Sequence, residues 1–185
     1  MIFNEFTNTM DNHILGIKRE NTLFWKLWCL TFAFDKIEKE YSNYEIIKDC
    51  YQFLWEINDG ENKDINLENS QLDSIEKFSD IEYGDLDDFD VSECAVKEFI
   101  NGADVIIRDL KKDQVSSGGQ AINLIPLNIV DIILQDDDTD ILDDDGFNTP
   151  ICLNEVNAQL KLSLELSHNN RKFSFSDRNI FRVTM

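Results

Sequence analysis

The segment from Leu23 to Phe34 is apolar on most faces of a helix and carries one charge, Lys26. Leu23, Phe24, Leu27, Trp28, Thr31 and Phe34 share one side, and Trp25, Cys29 and Phe32 lie on the other. A helix apolar all round has no face to give to water, so other elements must surround it. The run is too short to span a bilayer. The expectation is a helical bundle built around this segment, starting at an Asn21-Thr22 cap and running to about Tyr41.

The flanking sequence supplies partners for such a helix. Ser42-Asn43 precedes a stripe of Tyr44, Ile47, Tyr51 and Leu54, with Gly60 beyond its end, which predicts a helix from Tyr44 to about Ile57. A short amphipathic segment follows around Leu72, Ile75 and Phe78. Asp90 is placed to cap a helix from Val91 to Lys112, where Ala95, Phe99, Gly102, Ala103, Ile106 and Leu110 recur at three-to-four spacing. Lys111 and Lys112 fall in its last turn, where the helix dipole favours cations. Pro126 interrupts the next apolar run, Ala121 to Leu134, so that helix is kinked there or begins there.

The last third has two readings. Asn148-Thr149-Pro150 is a helix-start pattern with Pro at the first helical position. Yet Leu160 to Leu166 alternates strictly, as does Lys172 to Ser176, which fits a β-hairpin turning at His168-Asn169-Asn170. Leucine's helix preference and the start pattern favour the helix. The fold class expected is all-α: a single domain over residues 1–185, a bundle of about six to seven helices, with a small C-terminal hairpin as the variant.

Charge is the main functional clue. The chain has 37 acidic residues against 17 basic ones, a formal net charge of -20. An A+T-rich gene would enrich Lys along with Ile and Asn, so codon bias does not account for the imbalance. Two acidic loops, 80–90 and 136–147, stand out. Asp136, Asp137, Asp138, Asp140, Asp143, Asp144 and Asp145 fill one ten-residue window without a Lys or Arg. The window from Asp80 to Glu93 holds seven more, among them Asp85, Asp87, Asp88 and Asp90. Such density repels itself, so a reason outside folding is expected: a cationic partner or a bound cation. The same charge argues against direct nucleic-acid binding, which requires Lys and Arg on phosphates, and against anionic membrane surfaces.

Calcium-loop spacing fails. With Gly146 at loop position 6, positions 1 and 12 are Ile141 and Cys152; with Gly84 there, position 3 is Ile81. No nucleophile elbow, phosphate-binding loop or His-Glu-x-x-His is present. His13 and His168 stand in no catalytic or metal motif, and Trp25, Trp28 and Trp55 read as core. Cys29, Cys50, Cys94 and Cys152 are far apart and form no CxxC pair, which fits reduced thiols. The start lacks a basic and apolar leader, so a cytoplasmic protein is expected. No catalytic, cofactor-binding or metal-binding residues are assigned.

Several short motifs together resemble the YjaG-like family of all-helical bacterial proteins. They are Leu30-Thr31-Phe32-Ala33, Glu40-Tyr41-Ser42-Asn43-Tyr44, Leu54-Trp55-Glu56, Asp87-Asp88-Phe89-Asp90 before Ala95 and Ala103, and Asn148-Thr149-Pro150 before Glu155 and Gln159. The resemblance spans about Leu30 to Leu166 and implies that the last third continues as a long helix. It departs from the pattern at Arg171 to Met185, which is Phe- and Ser-rich. Proteins of this type are similar to helical immunity proteins encoded beside toxins in contact-dependent inhibition and polymorphic-toxin systems. The resemblance implies no catalytic residues.

The function expected is therefore an immunity protein, not an enzyme, which blocks a cognate toxin domain with a basic surface, a nuclease being the best fit. The expected contact carboxylates are Asp85, Asp87, Asp88, Asp90, Asp136, Asp137, Asp138, Asp140, Asp143, Asp144 and Asp145, on a monomer or weak dimer. Three other readings stay open: a DNA-mimic inhibitor of another nucleic-acid enzyme, a hydrolase with a carboxylate-held divalent metal, and an acidic structural or regulatory protein.

Overall fold

The computed structural model describes residues 2–61, 90–112, 122–135 and 140–182. Among these residues all regular structure is helical, with seven α-helices and three 3₁₀ turns. The α-helices are α1 (Phe3–Leu15), α2 (Thr22–Phe34), α3 (Tyr44–Asp59), α4 (Val91–Lys111), α5 (Ile125–Gln135), α6 (Asp144–Phe147) and α7 (Pro150–His168). The amphipathic segment around Leu72, Ile75 and Phe78 lies outside the described residues.

The centre is α2, as its all-round apolarity requires. Every residue from Phe24 to Ala33 is buried, Lys26 included. It runs antiparallel to α4, as Lys26 pairs with Asp109 at 2.5 Å while Leu30 abuts Gly102 further along. It is antiparallel to α3 as well, where Phe24 meets Trp55 and Phe34 stacks on Tyr51 with ring centroids 4.0 Å apart. The tight α2–α4 crossing depends on Gly102. A Cβ there would stand 2.7 Å from Ile125 Cδ1 and 2.8 Å from Leu30 Cδ1.

The α2 helix stops at Phe34, short of the Tyr41 expected. The chain turns there so that Tyr44, at the start of α3, stacks back on Phe34 at 6.0 Å, and Ile37 tucks into the core. Gly60 ends α3 in the left-handed conformation, φ 103°, where a side chain would be strained. At the other junction, the 3₁₀ turn Ile122–Leu124 leads into α5, so Pro126 sits in its first turn and starts the helix rather than kinking it.

The last third is helical. Pro150 opens α7, which continues through the alternating run to His168. The alternation misleads because polar residues on this helix are buried: Glu155, Gln159 and Ser163 face inward with Leu162 and Leu166, while Leu164 is 46% exposed. In the second half of the hairpin expected, 172–176, residues 172–174 lead without regular structure into the 3₁₀ turn Phe175–Asp177. The N-terminal helix α1 buries Phe6, Met10 and Ile14. It lies parallel to α7, with Phe6 beside Phe147, His13 on Ser163 and Lys18 on the His168 carbonyl.

Candidate functional site

The acidic turn after α5 is held at both sides. Ile141 is buried, and its backbone N–H donates to Asp131 Oδ1 on α5 at 3.0 Å. The Leu142 N–H donates to Asp140 Oδ1 at 2.7 Å, and the Asp143 N–H to the Asp140 carbonyl at 3.1 Å. Beyond it, α6 buries Phe147 against Phe3 and Phe6. Between these anchors Asp140, Asp143, Asp144 and Asp145 are exposed, with Leu142 among them at 66% exposure. Among the described residues none of the four carboxylates is in an ion pair. Asp136, Asp137 and Asp138 lie outside the described residues.

The second window contributes Asp90, which is exposed and caps α4 by accepting the Glu93 N–H at 2.7 Å. That bond satisfies an otherwise orphan donor of the first turn, so Asp90 has a folding role whatever else it does. Asp85, Asp87 and Asp88 lie outside the described residues.

Helix topology brings the described members of the two windows to one end of the bundle. α4 and α5 are antiparallel: Gly102 abuts Ile125, Glu98 accepts from Asn128 at 3.0 Å, and Cys94 feels the charge of Asp131. The N-terminus of α4 therefore lies beside the C-terminus of α5, where the acidic turn begins. The opposite end of α4, beside the start of α2, carries Lys111 and Lys112 together with Lys18 and Arg19. Charge of both signs stands at each end, since Glu20 and Asp109 lie with these cations and Lys36 and Lys39 lie near the start of α4.

Burial tunes the carboxyls behind this end. Asp131 is pushed above the usual carboxylate range mainly by burial, with the Asp140 charge adding and the Ile141 N–H opposing. Burial also raises Glu98, against the hydrogen bond from Asn128.

The remaining chemistry-bearing groups are built into the structure. Ser163 Oγ donates to the Leu160 carbonyl, so it accepts from His13 Nδ1 at 3.1 Å; it is fully buried and has no access to a substrate. Burial drives the Cys29 thiol far up and raises Cys94 and Cys152 to about 11, so none is a ready thiolate. Trp25 and Trp28 stack at 5.9 Å in the core, as expected of apolar helix positions. No group of three or more His, Cys, Asp or Glu among the described residues is arranged to hold a metal ion. Nor is any described helix long and apolar enough to cross a membrane.

One buried polar pair was not foreseen. Arg182 clamps Glu155 with both arms, Nε to Oε2 at 3.0 Å and Nη2 to Oε1 at 2.9 Å. It also donates to the Trp28 carbonyl at 2.6 Å and lies 3.5 Å above the Trp28 ring. Its members are 27 residues apart, Glu155 on α7 and Arg182 in the Phe- and Ser-rich tail, where no local pattern announces it.

No protein-family model, curated protein or solved structure matches the chain.

Proposed function

We propose that the chain is an immunity protein, an inhibitor that docks its acidic end onto the basic surface of a cognate toxin domain, a nuclease being the class that fits best. The observation that carries this reading is the fixed turn whose exposed Asp140, Asp143, Asp144 and Asp145 have no cation of their own among the described residues. Carboxylates left unneutralised on an anchored loop are available to a partner's Lys and Arg. Asp90 at the same end extends the surface.

The physical case follows from what a nuclease must present. Its cleft is basic because it binds phosphates, and an acidic protein surface can occupy or mask such a cleft. Complementary charge speeds encounter toward roughly 10⁸–10⁹ M⁻¹s⁻¹ at low salt. Lasting occupancy also needs an apolar anchor, and Leu142 stands within the carboxylates. The resemblance to immunity-type helical proteins points the same way.

The test is co-expression with the product of the neighbouring upstream gene. The reading expects a stable one-to-one complex on co-purification and loss of that product's toxicity. Free toxin in the presence of this chain would overturn it.

A further inference from the structure

We infer that residues 169–182 form a clasp that opens as a unit, separately from the bundle beneath it, and that Arg182 is its latch. The segment leaves the end of α7 and crosses α2 and α3 without helix beyond the 3₁₀ turn Phe175–Asp177. Polar groups of the bundle hold its backbone. Asn21 takes the Phe173 N–H at 3.3 Å and donates to the Arg171 carbonyl at 3.2 Å. Asn58 donates to the Phe173 carbonyl at 3.0 Å, the Phe175 N–H donates to the Asp59 carboxylate, and Trp28 Nε1 donates to the Ile180 carbonyl at 3.1 Å.

Each of those bonds joins the segment to a side chain, so its departure breaks no backbone hydrogen bond within α2 or α3. Water can replace the partners of Asn21, Asn58, Asp59 and Trp28 once the segment lifts. Phe173 is the one buried residue of the segment, so opening costs its burial but few other apolar contacts, which sets it below the free energy of global unfolding.

The far end is held differently. Arg182 supplies both arms to buried Glu155, while Trp28 grips Ile180. Between these two pins Phe181 is forced to φ 68°, the left-handed region disfavoured for a bulky side chain, and remains 40% exposed. Strain at an exposed residue flanked by two fixed points comes from the pins, and it is released when the latch lets go. Opening uncovers the aromatic face of Phe24, Trp28 and Trp55, which Phe173, Arg182 and Phe175 otherwise cover. The clasp requires no assumption about a toxin.

Hydrogen exchange on the full-length protein tests it, read by NMR at the Trp28 indole N–H and the Phe173 and Phe175 amides against core amides of α2 and α4. The clasp protons are expected to exchange at least about a hundredfold faster than the slowest core amides, with weak urea dependence. Arg182→Met should accelerate the clasp protons a further tenfold or more, and the core amides, whose exchange needs an opening that also breaks the latch, should quicken by no more than the same factor. Glu155→Gln, which keeps the side chain's shape, should act in the same direction. Clasp and core protons exchanging in step in the wild-type protein would overturn the separate opening. An unchanged clasp rate in both variants, or core amides quickened more than the clasp protons, would overturn the latch.

Discussion

Asp131 Oδ1 accepts the backbone N–H of Ile141 at 3.0 Å, and this bond ties the acidic turn to the helix that precedes it. Removing the acceptor with Asp131→Ala should cost about 1 kcal/mol. Asp131→Asn keeps an acceptor and removes a carboxylate whose ionisation burial opposes. The folded-state carboxyl is raised, so the folded protein binds the extra proton and this group's contribution to stability falls as pH rises through the carboxylate range. Asn should therefore equal or exceed Asp in stability at neutral pH, with the advantage disappearing on acidification. Urea titrations of both variants at several pH values decide it.

The α2–α4 salt bridge is lopsided: the Lys26 side chain is 2% exposed and that of Asp109 25%. Taking away Asp109 strands an ammonium in the core, whereas taking away Lys26 leaves a carboxylate that reaches water. Asp109→Ala should cost roughly 3–5 kcal/mol, the range for breaking a buried pair, and Lys26→Met clearly less. Equal losses in chemical denaturation would contradict this account of the pair.

Gly102→Ala sets helix propensity against space. Alanine gains about 1 kcal/mol in a helix interior, but its Cβ would meet Ile125 and Leu30 inside 3 Å, and both are buried. Overpacking typically costs about 1–3 kcal/mol. The expected result is a net loss of about 1 kcal/mol by thermal unfolding, where an exposed helical glycine would show a gain.

At Asp90 a role in folding can be told apart from the proposed docking. Asp90→Ala removes the cap on α4 and should cost about 1 kcal/mol. Asp90→Asn keeps a capping oxygen while deleting the charge, so it should leave stability nearly intact and affect only the encounter with a cationic partner. Circular-dichroism melts and association rates measured on both variants separate the two roles.

Much of this fold was legible because apolar spacing marks α2, α3 and α4, Asp90 caps α4, and Pro150 marks the start of α7, whereas Asn21 and Asn43 make no side-chain cap at the starts of α2 and α3. The alternation from Leu160 to Leu166 left helix and strand open because periodicity assumes polar residues face water, and Glu155, Gln159 and Ser163 do not. Their partners, Arg182, Asn123 and His13, come from distant parts of the chain. The α1 stripe of Phe6, Met10 and Ile14 recurs at helical spacing, but Ile2 stands where a Ser, Thr, Asp or Asn would have announced the start. At the candidate site, composition located the carboxylates, but their common end of the bundle follows from the antiparallel packing of α4 and α5, which composition does not encode. Asp131 carries no signal beyond being one more aspartate.

We propose that the acidic end steers this protein onto a basic partner. Stopped-flow association with the purified toxin domain, from low to physiological salt, tests it most directly. The wild-type on-rate should fall steeply as salt screens the charges. The triple variant Asp143→Asn, Asp144→Asn, Asp145→Asn should associate more slowly, with a flatter salt dependence. An on-rate and salt slope unchanged by the three substitutions would contradict the claim.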